Sequence, residues 1–489
     1  MKQFVLRPTA IALSLVIVLA VLRPAAVSAQ TEQRILTLAD AVAEALLKNQ
    51  RVLQQQDGVE RANLGLRVAK SAFTPKILPN IQGSLSRSLL NDQTYRVDLV
   101  QNFTNGSGIR AGIATSTAQI PGAPGEPDIR FYNADTTLMW TQPLLKGLGK
   151  SVARRPLTAA ERAQGDAIRR SKMAEQQTTV DVARAYFRVV AQESLAEVAG
   201  NGLRRANELR EASEAKLAAG RVSQLDVLRA RQLVAQADLQ VFDAKAAVID
   251  ARENLAELIG RDVDDAFGVV SEIPAWTDDL VEEKGVALAM GARLDLMIAE
   301  DAASDVNDAV AYAKNQALPQ FDVNLAMTRR RTSPSFGSSF GLDGFQFTTF
   351  FNLSMPVDRT AQSSTIQNAL IDRGERTREL EALRRRITAD VKREFRERER
   401  GRRNLVMAEE LVLIAKTEVE VAQFRYERGL SNNLDVVTAE TNLMNAESRR
   451  VTLLADLAVN RLSLRAVIGI LDPKQDTSGS PGVSGIESR

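Results

Sequence analysis

The chain is 489 residues long, 44% hydrophobic and 25% charged, and its net charge of +2 gives no reason to expect a nucleic-acid partner. It contains no cysteine and no histidine. Disulfides, thiolate metal sites, cysteine nucleophiles and the usual histidine acid–base chemistry are thereby excluded, no cofactor is implied, and no catalytic constellation argues for an enzyme.

Residues 1–29 read as a secretory signal, with Lys2 and Arg7 at a positive start, an apolar run from Ile11 to Leu22, and small residues at Val27-Ser28-Ala29. The mature chain is expected to begin at Gln30, with no cysteine there to carry a lipid anchor. From Leu38 to Phe73 the composition is helical, broken near Asn49-Gln50 and ended by Pro75 and Pro79. Ile81, Gly83, Leu85 and Leu89 then alternate with Gln82, Ser84, Ser86 and Ser88, a strand pattern. About forty Gly-, Asn-, Ser- and Pro-rich residues follow, including Asn105-Gly106-Ser107-Gly108 and Pro121-Gly122, and are expected to form a long surface loop. A second strand pattern sets Tyr132, Ala134, Thr136, Leu138 and Trp140 against Asn133, Asp135, Thr137, Met139 and Thr141.

Residues 157–219 hold no proline and are rich in Ala, Arg, Glu, Gln and Leu. Such a stretch predicts a helix roughly 90 Å long, far beyond a globular helix. It reaches Gly220, suited to a left-handed helix end, and the helical pattern resumes at Ser223, a candidate cap. After a mixed stretch at 261–284, two more strand patterns flank a Gly/Ser-rich loop: Phe321, Val323, Leu325 and Met327, then Phe345, Phe347, Thr349, Phe351, Leu353 and Met355. Residues 360–428 repeat the long helical composition, ending at Gly429, with Ser431 as the matching cap candidate.

The chain is an internal duplication. Lys216–Gly260 aligns without a gap on Arg425–Gly469 at a constant offset of 209 (429 − 220), pairing Gly220 with Gly429 and Leu225-Asp226-Val227 with Leu434-Asp435-Val436. Setting Pro79 on Pro319 and Pro143 on Pro356 brings the four strands into the same apolar parity. The expected units are a first repeat at 30–260, a linker or equatorial region at 261–284, a second repeat at 285–469, and a disordered tail at 470–489.

Alternation by itself fits soluble hairpins with one buried face as well as transmembrane β. Aromatics at Tyr132, Trp140, Phe321, Phe345 and Phe351 favour the membrane reading. Strand edges cannot stay open in lipid, and four strands are too few for a barrel, so a barrel must be shared between chains. Three chains would give twelve strands, with four long or composite helices from each chain forming a cylinder below.

At this point the signal segment, the duplicated halves, the strand ending Gln142-Pro143-Leu144-Leu145-Lys146-Gly147, and the twin Gly-x-x-x-x-Leu-Asp-Val segments resemble the TolC-type outer-membrane efflux family over roughly residues 35–470. The resemblance implies a mainly α fold with a transmembrane β part: a homotrimeric outer-membrane β-barrel, four strands per chain, continued by a long periplasmic α-helical barrel. It implies an exit duct for efflux or type I secretion, working with a periplasmic adaptor protein and an inner-membrane pump. A periplasmic coiled-coil scaffold without channel activity is the alternative. Carried onto this sequence, the resemblance makes Asp226 and Asp435 pore-gate candidates, although both also suit the first turn of a helix, and Thr438 stands where some members carry a second aspartate. Gly220, Arg221, Val222, Ser223, Gly429, Leu430, Ser431 and Asn432 are the tip candidates for adaptor contact. Leu138, Trp140, Leu325, Phe347 and Phe351 are the candidates to face outer-membrane lipid. The run RRRITADVKREFRERERGRR (384–403) interleaves acids and bases at helical spacing and reads as a solvated face, with peptidoglycan contact as its other reading.

Overall fold

A computed structural model describes residues 34–83, 93–120, 125–127, 129–265, 267–271, 273, 280–340 and 344–477. The signal segment, Leu85, Leu89, Pro121-Gly122 and the tail from 478 onward lie outside the described residues.

The chain opens with β1 (Arg34–Leu36), α1 (Leu38–Lys48) and α2 (Gln50–Ser71). Thr37 and Asp40 form a reciprocal capping box on α1. Asn49 makes the expected break between α1 and α2, since its side chain caps α2 by accepting from the Arg51 amide at 3.0 Å. Four strands follow: β2 (Lys76–Gly83), β3 (Gln93–Asn102), β4 (Gly108–Ile120) and β5 (Ile129–Pro143). A short α3 (Lys150–Ala153) leads into α4 (Arg155–Ala218), 64 residues started by Pro156, and α5 (Gln224–Ile259) returns alongside it. Next come β6 (Phe267–Val269), α6 (Glu282–Ala292), α7 (Leu294–Gln316), β7 (Gln320–Ser333), α8 (Phe336–Ser339) and β8 (Gln346–Ser354). The last pair is α9 (Thr360–Glu427), 68 residues, and α10 (Asn433–Ile468). The starts and ends of α5 and α10 keep the offset of 209 (433 − 224 and 468 − 259).

The helices form four parallel columns. Asn63 bonds Gln164 at 2.7 Å and Arg51 pairs with Asp181 at 2.8 Å, so α2 lies along the first half of α4. Arg252–Glu193 at 2.7 Å and Arg231–Glu214 at 2.9 Å set α5 along the second half. The end of α5 therefore meets the start of α2, where Asn49 Nδ2 donates to the Leu258 carbonyl at 2.9 Å and uses one of the orphan acceptors of a helix terminus. The second repeat makes the same composite from α7 and α10 beside α9, with Arg293 Nη1 donating to the Val467 carbonyl at 3.4 Å. Arg162–Asp308 at 2.8 Å and Arg169–Asp301 at 2.6 Å join α4 to α7, which orders the columns α2/α5, α4, α7/α10, α9. At 1.5 Å per residue, α4 and α9 are each about 100 Å long.

The main core sits midway along these columns. Leu36, Val42, Val182, Phe187, Val189, Leu255, Ile259, Phe267 and Leu462 bury one another there. β1 and β6 pair in parallel, and the Tyr186 hydroxyl clasps them by donating to the Leu36 carbonyl and accepting from the Val270 amide, both at 3.1 Å. Ile387, Val391, Phe395, Leu464 and Ile468 form the counterpart in the second repeat. The charge run lies on α9 as ion pairs, among them Arg403–Glu399 at 3.0 Å and Arg384–Glu300 on α7 at 2.8 Å.

Two expectations are corrected. The stretch read as a surface loop contains β3 and β4, so the sheet has the order β2-β3-β4-β5-β7-β8, six strands, in which β5, β7 and β8 are expected strands and β2 meets the expected first strand at Ile81–Gly83. The tail read as disordered is packed through Thr477: Leu471, Asp476 and Thr477 are buried, and Asp476 pairs with Arg465 at 3.0 Å.

At the junction, Arg261 donates two bonds to Glu44 at 2.9 and 2.7 Å, and these hold the carboxyl below its ordinary range. A depressed folded value stabilises the fold above the unfolded carboxylate range and loses that contribution as pH falls through the folded value. Glu44→Gln is expected to cost about 1–2 kcal/mol at pH 7. Denaturant melts of variant and parent should converge in acid; a gap that persists there would show that the pair is not the cause.

Candidate functional site

Two surfaces of the chain lie far from its main core: the turns of the two helix hairpins, and the two faces of the sheet. Each long hairpin turns in the same way. The Gly220 amide donates to the Leu217 carbonyl at 2.9 Å and the Arg221 amide to the Lys216 carbonyl at 2.9 Å, with Gly220 at φ 68°. Gly429 (φ 70°) and Leu430 repeat both bonds to Tyr426 and Arg425, at 3.1 and 2.9 Å. This double closure needs a left-handed residue after the last helical turn, which glycine supplies at little steric cost.

Beyond the turns the copies diverge. Ser223 caps α5 as expected, in a full capping box: the Asp226 carboxylate accepts from the Ser223 amide at 3.0 Å and hydroxyl at 2.7 Å. Asp226 is consequently buried, with Arg229 at 3.9 Å. In the second copy the cap is Asn432 and not Ser431, because Asn432 Oδ1 accepts from the Leu434 amide at 3.0 Å. Ser431 instead donates its hydroxyl to Asp435, which stays exposed. Arg221, Leu430 and Asn432 are exposed and Val222 is half-buried against the neighbouring hairpin.

A polar network joins the two hairpins. Arg205 donates to Glu440 at 2.6 Å, and Gln423 Nε2 donates to the other Glu440 oxygen at 3.0 Å. The Ser213 and Tyr426 hydroxyls lie 2.8 Å apart, and Lys216 donates to the Tyr426 carbonyl at 2.6 Å with its ammonium 3.6 Å from the ring centroid. Burial pushes the Lys216 ammonium down and the Tyr426 phenol up. Asn433 is fully buried and donates to the Asp226 carbonyl, so the start of one returning helix is tied to that of the other. Sequence reasoning missed this network. Its available signal was divergence within the repeat, where Tyr426 replaces Leu217 and Glu440 replaces Arg231.

The sheet has two different faces. Registered pairing puts Leu138 beside Met327 and Ala111, Trp140 beside Leu325 and Ile109, Phe351 beside Val323, and Phe347 beside Met327. All five candidates for lipid contact thus share one face, and Phe347 (79%), Phe351 (72%), Leu138 (44%) and Leu325 (43%) are exposed on it. The opposite face is mostly polar, with Arg330–Asp135 at 2.7 Å, Thr141–Asn324 at 2.7 Å and Thr332–Asn133 at 2.7 Å, and with Leu78, Val100, Met139 and Phe350 among its apolar exceptions.

The model of the family described as "outer membrane efflux protein" matches residues 133–261 and 286–470. The chain belongs to the outer membrane efflux protein family. No curated protein matches the chain significantly in sequence. Among solved structures, the CmeC outer membrane channel of Campylobacter jejuni is 15% identical with a TM-score of 0.68, over 90% of this chain and 89% of that one. The outer membrane protein VceC of Vibrio cholerae is 17% identical with a TM-score of 0.67, over 88% and 96%. The open state of the MtrE outer membrane channel of Neisseria gonorrhoeae is 17% identical with a TM-score of 0.66, over 89% of each. In this efflux-family chain the fold is therefore that of known outer-membrane channels. No helix among the described residues is long and apolar enough to cross a membrane.

The Arg205–Glu440 pair is mostly buried, with side-chain exposures of 17% and 7%. Truncating Glu440 leaves the Arg205 guanidinium with only the longer contact to Glu447 at 3.9 Å, at a cost of up to about 3–5 kcal/mol. Glu440→Ala should thus raise amide exchange across 205–216 and 423–440, and Glu440→Gln should raise it less. Equal protection in both variants and the parent would mean that apolar packing alone holds the hairpins together.

Proposed function

We propose that the chain is one third of a homotrimeric exit duct of the outer membrane, projecting into the periplasm and moving small molecules or protein outward for a tripartite efflux or type I secretion system. The observation that carries this reading is that the chain is incomplete along both sides. The sheet ends in the open edges of β2 and β8, and the columns end in α5 and α9. Leu225, Leu228, Leu239, Phe242 and Ile249 are exposed on α5, as are Val406, Leu413, Ile414, Val421 and Phe424 on α9. Copies placed side by side would cover these apolar residues and pair the strand edges, and a ring needs no other partner to close. Three copies, the number that the family resemblance implies, would give twelve helical columns around a common axis.

In this reading the apolar face of the sheet meets lipid and the polar face lines water. The exposed row of Phe347, Phe351, Leu138 and Leu325 weighs against the scaffold alternative, in which it would have no partner. The turns at 220–223 and 429–432 are the most distant points from the sheet and would meet the periplasmic adaptor of an inner-membrane pump. Light scattering with the detergent contribution subtracted should return three chains. Bulky substitutions at both turns, at Arg221 and Leu430, should abolish export from cells while leaving trimers in the membrane. A monomer would overturn the shared barrel, and full export would move docking elsewhere.

Asp226 and Asp435 remain the gate candidates, and their surroundings separate them. Three exposed Asp435 carboxylates near one axis would attract cations, whereas Asp226 is committed to its capping box. In planar-bilayer recordings Asp435→Asn is expected to weaken cation preference more than Asp226→Asn. Unchanged conductance, selectivity and divalent-cation block in both single variants and the double variant would remove the gate.

A further inference from the structure

The β3–β4 hairpin lies outside both segments matched by the family model, which begins at residue 133. Its position in the sheet says what it does. The turn between the strands is tied to the helix end of the sheet: the Gly149 amide donates to the Asn105 carbonyl at 3.2 Å, and Gln101 Nε2 donates to the Phe73 carbonyl at 2.6 Å. From there β4 runs alongside β5 for its entire length, Gly108 opposite Thr141 and Ile120 opposite Ile129. β3 is 10 residues long and β4 is 13, which meets the roughly 9–11 residues that a tilted strand needs to cross a bilayer.

Registration carries the apolar face through the hairpin without a break. One cross-strand row reads Ile77, Leu99, Ala111, Leu138, Met327, Phe347, and the next reads Pro79, Val97, Ile113, Thr136 as far as β5, where Arg329 of β7 ends it, buried and donating from Nη1 to the Ser339 carbonyl at 3.3 Å. Tyr95, Val97, Leu99 and Ile113 are exposed on it, like Leu138 and Phe347. The polar side keeps the same parity through the hairpin, with Asn80, Arg96, Ala114, Asp135 and Arg330 in one row, although Val100 and Met139 stand in another. A hairpin folded as a flap outside lipid has no reason to keep this parity in step with its neighbours over two strands. A one-residue slip would have turned Val97 and Ile113 to the wet face.

We propose that β3 and β4 are membrane-spanning strands whose apolar face is covered by lipid acyl chains, so that each chain gives six strands and the trimer closes an eighteen-stranded barrel. The inference rests on the duct reading above and deepens it. Barrel diameter grows nearly linearly with strand number, so this exit is about half as wide again as one of twelve strands and holds an open aqueous channel. Its wall gains Arg96, Asp98 and Arg110 on the water side. An exit of that width leaves selection by size to the helical end of the duct, and it accepts bulky cargo.

Because the chain has no cysteine, single-cysteine variants report from one position each. Val97→Cys and Ile113→Cys, labelled with a fluorophore and reconstituted in liposomes, are expected to be quenched by brominated-chain phospholipid to the same extent as Leu138→Cys. Ser116→Cys and Thr137→Cys should escape that quenching and react with a membrane-impermeant thiol reagent. Quenching at Leu138→Cys without quenching at the hairpin positions would overturn the eighteen-stranded barrel and leave the duct intact. No quenching at any of the three would overturn both.

Discussion

A β-sheet edge is a row of backbone donors and acceptors that must find partners, and among its described residues a single chain of this protein leaves two such edges open, at β2 and β8. The consequences follow in order. In the proposed duct an apolar face next to open edges cannot be isolated in lipid, so further copies standing in a ring would close the sheet. The helical part obeys the same logic through side chains instead of backbone: its four columns stop at α5 and α9 with apolar residues unburied. Both layers are incomplete in the same direction, sideways, so the one rotational assembly proposed above would satisfy both.

Length along the axis comes from a different device. Two of the four columns are unbroken helices, while the other two are made by standing α2 on α5 and α7 on α10. The joints are where the chain enters and leaves the belt around the middle, and they are satisfied locally by Asn49, Arg293 and the Glu44–Arg261 pair. Concentrating the core at this level leaves the two ends thinly packed. The hairpin ends are held by a smaller apolar cluster and by the polar network of Arg205, Glu440, Tyr426 and Asn433.

The duplication explains the symmetry of the fold, and its failures mark the places where the halves have separate tasks. The turns are superimposable in their hydrogen bonds, yet one aspartate is folded back onto its cap and the other faces solvent. Tyr426 and Glu440, which have no counterpart in the first copy, are the residues that hold one hairpin against the other.

The sequence by itself determined the duplication, the two long helices with their glycine ends, the four alternating strands and their common parity, because each is a local or periodic signal read at one residue's neighbourhood. It also located both turns at their glycines, Gly220 and Gly429, and missed the second cap by one residue. The β3–β4 hairpin was hidden because residues 103–107 form a tight turn in a stretch where glycine and asparagine also suggest a loop, and only pairing with β5 tells a strand from an extended linker. The packing of Leu471 to Thr477 and the ion pair of Arg205 with Glu440 were equally out of reach. They join residues far apart in the chain, and which charges face one another is decided by how α4 lies against α10, a tertiary fact that no local pattern records.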